Sequence, residues 1–220
     1  MTVTPEAPTG MHFVALDVET ANPFRGSICQ VGLALVRDGR IAATWGVLVR
    51  PPRPHDWFDP DHVAVHGITE RHLRDAPSFE DAWPGIAARL GGRATVAHNA
   101  AFDTGCLRDA TAFCRIDWPS LDVACSLVVA RQLLDLPSYG LDVVASATGV
   151  PLARHHDAVH DAVACAQITV AMAERVGAGS LGDLLDVAGV AWGAVRAREY
   201  APCRTTIPAP TGVDAPATLF

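Results

Sequence analysis

Two carboxylates, Asp17 and Glu19, close a nearly continuous apolar run from His12 to Val18. In a strand, a two-residue spacing puts both side chains on one face. Burying one carboxylate costs several kcal/mol unless it is compensated, and a second beside it adds repulsion. A bound cation or a strongly raised pKa is the physical way out. Taken alone, the pair reads equally well as acids at a strand end that reaches solvent. A third carboxylate, Asp161, shares a helical stripe with Cys165, Ile168 and Met172 and asks for a partner there. His156 precedes it by five residues, which on a continuous helix would turn it about 140° away. The two converge only if His156 lies in the loop before the helix. Asp103 falls in the first turn after His98-Asn99, where the helix dipole favours a carboxylate and Asn99 can cap, so local structure explains it by itself. Asp157 reads as an N-cap, and His155 and His160 as solvated or packed histidines.

These residues need a scaffold of alternating strands and helices. His12–Val18 has the pattern of a strand buried on both faces. Ile28–Val36 and Ile41–Val49, joined by the turn signal Asp38-Gly39, predict an antiparallel hairpin beside it. Pro51–Pro60 is a proline-rich loop carrying Trp57 and Phe58. Helical spacing from Ser78 to Gly91-Gly92 and a short strand over Ala94–Ala97 follow. Next come a helix over Ala101–Phe113, a strand near Leu121–Val123, helices around Ser126–Leu134 and Leu141–Thr148, and a long helix over Ala158–Val176. Ser180–Val190 reads as one more short helix, and Ile207–Phe220 lacks periodicity. The order implies an α/β layer fold with a mixed β-sheet flanked by α-helices.

With 220 residues, half of them hydrophobic, the chain can bury one sizeable core. The formal charge of −7 argues against nonspecific coating of phosphates by a basic surface, but not against a nuclease whose acids are neutralised by metal. All 17 basic residues are Arg, which reads as coding bias. The six cysteines form no CxxC pair, and with no apolar run near the ~18 residues of a membrane span, a reduced, cytoplasmic setting without membrane attachment is expected.

Asp17-Val18-Glu19-Thr20, then His98-Asn99-Ala100-Ala101-Phe102-Asp103, then His156 with four residues before Asp161, resemble the three motifs of the DEDDh (DnaQ-like) 3′–5′ exonuclease family, which includes the epsilon proofreading subunit of DNA polymerase III and ribonuclease T. Val65–Thr69 is similar to that family's substrate-side element. The resemblance implies a ribonuclease H-like fold over residues 11–177 and a C-terminal extension over 178–203, while a flexible N-terminus at 1–10 and a disordered tail over 204–220 are expected from the sequence itself. The resemblance also implies two Mg²⁺ or Mn²⁺ ions on Asp17, Glu19, Asp103 and Asp161, with His156 as general base. Thr20, His66, Phe102 and Asn99 would then border the terminal nucleotide of a single-stranded DNA or RNA 3′ end. For Phe102 a place in the helix core is an equal reading. A DNA polymerase or repair protein is the implied partner. Two rivals stand beside this reading. An HD-type phosphohydrolase would use His155, His156, Asp157, His160 and Asp161 but leaves Asp17, Glu19 and Asp103 without a role. A non-catalytic DnaQ-like module would not need all five positions filled.

Overall fold

A computed structural model describes residues 10–206. The first strand, β1 (Phe13–Thr20), pairs antiparallel with β2 (Ile28–Arg37), which pairs antiparallel with β3 (Arg40–Leu48) across the Asp38-Gly39 turn. On its other side β1 runs parallel to β4 (Thr95–Ala97), and β4 parallel to β5 (Leu121–Cys125). The helices between them are α1 (Pro60–His66), α2 (Phe79–Leu90) and α3 (Ala100–Phe113). Then come α4 (Ser126–Leu133), α5 (Leu141–Thr148), α6 (Ala158–Val176) and α7 (Leu181–Ala188). This is the mixed sheet flanked by helices that the order of elements predicts, with a ribonuclease H-like arrangement.

Alternation along β1 divides the core. Val14, Leu16 and Val18 pack with Phe79, Ile86 and Leu107 of α2 and α3, while Phe13 and Ala15 pack with Ile168, Met172 and Leu184 of α6 and α7. Asp17 and Glu19 continue the second of these faces, the one α6 covers. The contact between α6 and the sheet is close because two paired glycines make room for it. Gly32 of β2 lies opposite Gly46 of β3. A Cβ on Gly32 would sit 2.0 Å from the Ala158 carbonyl oxygen, and one on Gly46 2.3 Å from Val159 Cγ2. Strand glycines mark such approaches of another backbone. Gly32→Ala is therefore expected to destabilise the fold by about 3 kcal/mol or more, since backbone rather than a movable side chain must yield. Urea unfolding beside wild type measures this, and a loss below 1 kcal/mol (the low end of overpacking costs) would contradict it.

Three features depart from the sequence reading. Helix α1 and a 3₁₀ turn over Glu70–Leu73 occupy part of what reads as loop, between the proline-rich stretch and Ser78. The segment after α7 carries strands that the sequence reading did not place. The antiparallel pair β7 (Gly193–Arg196) and β8 (Glu199–Ala201) extends the sheet beyond β5 to the order β3-β2-β1-β4-β5-β7-β8. Finally, β6 (Val190–Ala191) pairs with β9 (Arg204–Thr205), so ordered pairing crosses the boundary drawn at residue 204. The rest of that tail, 207–220, and positions 1–9 of the N-terminal segment lie outside the described residues. Among the described residues no helix is long and apolar enough to cross a membrane, and all six cysteines are free.

Candidate active site

The partner strand β4 pairs with Val14 and Ala15 of β1 and ends soon after, so Asp17 and Glu19 project where the parallel part of the sheet opens at its carboxyl end. Crevices of this kind are where open α/β sheets receive ligands. Onto it comes Asp161, only 3% exposed, in the first turn of α6. Carboxylate oxygens of Asp17, Glu19 and Asp161 lie within 4.8 Å of one another, a spacing that suits a shared cation. Asp161 Oδ2 accepts the His156 backbone N–H at 2.8 Å and contacts His155 Nδ1 at 3.0 Å, whereas Oδ1 is buried with no hydrogen-bond partner among the described residues. An orphaned buried carboxylate oxygen beside two further acids fits a divalent cation with hard oxygen ligands.

The electrostatics agree with that fit. Loss of hydration raises the Asp17 carboxyl well above its ordinary range, with Asp103, Glu19 and Asp161 pushing the same way. Glu19 is raised to about 8, by burial and then by Asp161 and Asp157. Asp103, 2% exposed, is raised to about 8 by burial, against the pull of backbone N–H donors that include Val18 at 3.2 Å. Asp103 stands outside the triad of mutually close ligand atoms and reaches the site as a neighbour of Asp17.

His156 occupies the loop before α6 with φ 69°, and Asp157 caps the helix by accepting from the Val159 and His160 backbone N–H groups. Its ring stacks on His155 with centroids 3.7 Å apart. Burial lowers the His156 pKa, and the neighbouring His155 lowers it further. The expected cap at Asn99 is corrected: Asn99 holds the N-cap position of α3 but at φ 75°, and its side chain makes no capping bond. Capping needs an extended backbone that directs the side chain at the N2 and N3 amides, which the left-handed conformation does not provide. The preceding His98 is held by Ser126 Oγ at 2.9 Å and the Tyr139 carbonyl at 2.8 Å, which gives it a structural place behind the cleft.

Around the rim, the Thr20 carbonyl accepts from His62 Nδ1 at 2.9 Å and His66 Nε2 at 3.1 Å. Since His66 Nδ1 accepts the Ile68 N–H, Nε2 carries the proton. Burial lowers the His66 pKa, consistent with a neutral ring. Phe102 is half-buried against the α2/α3 core, with the Arg25 guanidinium 6.0 Å over its ring. The sequence reading did not select His62, which clamps Thr20, and it took His155, which contacts Asp161, as a solvated or packed histidine. Pro60 at the helix start and Gly67 at its end were the signal for α1, and they would have set His62 and His66 one turn apart on the same face.

A ribonuclease H-like sheet with clustered carboxylates at the carboxyl end of its first strand defines a DnaQ-like nuclease. The chain belongs to the exonuclease family, whose sequence profile matches residues 14–169. It is 33% identical over 177 residues to a Mycobacterium tuberculosis (strain CDC 1551 / Oshkosh) protein with a provisional bifunctional exonuclease/endonuclease name, the match covering 75% of this chain and 27% of that one. It is 32% identical over 180 residues to the PolC-type DNA polymerase III of Thermotoga petrophila, covering 78% and 13%. The chain thus spans about a quarter or less of these curated relatives. Among solved structures it resembles exonuclease X in complex with 5′ overhanging duplex DNA, with a TM-score of 0.65, 26% identity, and coverage of 80% of this chain and 99% of that one. The HD-type reading falls with the fold, because a seven-stranded sheet places Asp17 and Glu19 at the site that reading leaves empty.

Proposed function

We propose that this chain hydrolyses phosphodiester bonds from the 3′ end of single-stranded nucleic acid, DNA in preference to RNA, with two Mg²⁺ or Mn²⁺ ions held by Asp17, Glu19, Asp103 and Asp161. The observation that carries this reading is the convergence of three carboxylates within 4.8 Å around an unpartnered Asp161 oxygen. When bound, such ions lower the pKa of water and stabilise charge on the entering and leaving oxygens. The chain's own residues do the rest. His156, beside Asp161 and with its pKa lowered by burial and by His155, takes the proton from the attacking water. Its backbone N–H on Asp161 Oδ2 couples the position of the base to that of the ligand. Thr20, fixed by His62 and His66, presents its backbone to the terminal nucleotide, Phe102 offers a face for stacking, and Asn99 borders the same end. The kinship to a polymerase III polypeptide supports a DNA polymerase or repair protein as partner.

The test is to incubate 5′-labelled DNA and RNA of one sequence with the protein and Mg²⁺, Mn²⁺ or EDTA. The expected product is a ladder shortening from the 3′ end, faster on DNA and absent in EDTA. A faster RNA ladder would reverse the substrate preference, and intact strands with both metals would overturn the activity.

A further inference from the structure

We infer that a groove of about 830 Å³ at the far end of α3 from Asp103, lined by Arg50, Phe58, Arg71, Arg74 and Phe113, binds the backbone of the single strand upstream of its 3′ end. The inference rests on the exonuclease reading and adds to it a second binding surface. The groove is cationic on a chain whose net charge is −7. Of its acids, Asp56 pairs with Arg53 at 3.2 Å and Glu80 turns to Cys114, which leaves Glu70 as the remaining acid in a lining that holds three further arginines. The guanidinium groups of Arg50, Arg71 and Arg74 are exposed and make no ion pair or hydrogen bond among the described residues.

Their backbones are nevertheless fixed. Arg50 follows the fully buried Val49 and bridges to the segment before α2, while Arg71 and Arg74 flank Leu73, which is 2% exposed. Free guanidinium groups on an anchored frame are matched to phosphates, which they can bind in bidentate fashion with little backbone ordering.

An aromatic path joins the groove to the cleft. Helix α3 carries Phe102 near its start and Phe113 at its end, about 16 Å apart at 1.5 Å per residue. Between them Phe24 stacks on His55 at 3.9 Å, and both meet the ring of Phe113 edge-on at 5.6 and 5.3 Å. The buried Asn22 clamps this loop through the His55 and Trp57 carbonyls, leaving the Trp57 ring 51% exposed. Aromatic faces interleaved with cations suit unpaired bases and their backbone, and the distance places the groove several nucleotides from the scissile bond.

The test combines Arg50→Gln, Arg71→Gln and Arg74→Gln in one protein. Anisotropy of a labelled strand of about twelve nucleotides with a non-hydrolysable 3′ linkage reads binding. The variant is expected to raise Kd at least about tenfold and to flatten the slope of log K against log salt by about 2. Hydrolysis of the p-nitrophenyl ester of thymidine 5′-monophosphate, too small to reach the groove, and the Tm are expected to stay at wild-type values. Unchanged Kd and slope would overturn the groove assignment while leaving cleavage intact. Equal competition by poly-glutamate of matched charge would also overturn it, in favour of an acidic protein partner. Loss of ester hydrolysis in the wild-type protein would instead count against the exonuclease reading itself.

Discussion

Asp17→Asn is expected to abolish hydrolysis and, in the absence of metal, to make the protein more stable. The two effects share a cause. Asp17, Glu19 and Asp103 are held in a place that opposes their charged forms, with Glu19 and Asp103 raised to about 8 from ordinary values of 4.5 and 3.8. Between the unfolded and the folded pKa the native state binds more protons than the unfolded chain. Metal-free stability therefore falls as pH rises from about 4 through about 8. Asn keeps the shape and removes one charge, so at pH 8 it should return about 2 kcal/mol, or several degrees in Tm. A divalent cation reverses the logic by binding only the folded, ionised site. Mg²⁺ or Mn²⁺ should raise the wild-type Tm, more at pH 8 than at pH 6, and leave Asp17→Asn nearly unmoved. Hydrolysis should drop about 10³-fold or more. Differential scanning fluorimetry across pH with EDTA or metal, beside the strand-shortening assay, measures all of this. An Asp17→Asn protein that is less stable than wild type in EDTA at pH 8 would contradict the account of a strained carboxylate cluster.

How much of this was legible in the sequence depends on how local each signal is. The β2–β3 hairpin announced itself through Asp38-Gly39, and α6 through Asp157 and a nineteen-residue apolar stripe, because turn chemistry, capping and periodicity act within a few residues. Asp17 and Glu19 were visible for the opposite reason: charge where the pattern asked for core. Strands β7 and β8 were hidden because they are short and their turn places Arg198, not Gly or Asn, at φ 66°. The slot formed by Gly32 and Gly46 could not be read at all, since it exists only once β2 pairs with β3 and α6 lies across them. Asn99 shows the converse: a residue type suited to capping sits at the cap position, yet the backbone required at the site overrides the preference. His156 was conditional in the sequence, and its left-handed turn before α6 is what brings the backbone N–H to Asp161.

That placement makes the second large expectation specific to His156. His156→Ala should lower kcat by about 10²- to 10⁴-fold, the range for loss of a positioned general base, with little change in strand affinity. A general base must be neutral, and burial together with His155 lowers the His156 pKa from its ordinary 6.5. The rate should therefore climb with pH on the acid side, reach its plateau below the range of an ordinary histidine, and lose that limb in His156→Ala. His155→Ala offers a control with an opposite sign. It removes the neighbour that lowers the His156 pKa, so the acid limb should move to higher pH while the plateau stays within a fewfold of wild type. His155 also contacts Asp161 Oδ2, and the backbone N–H of His156 keeps that oxygen satisfied in its absence. Initial rates on a single-stranded substrate from pH 5 to pH 9, at saturating Mn²⁺, separate the two histidines. A full loss of activity in His155→Ala with only a fewfold loss in His156→Ala would transfer the role of base to His155. Their rings stack at 3.7 Å, so the pH limb that disappears is the readout that separates the base from its neighbour.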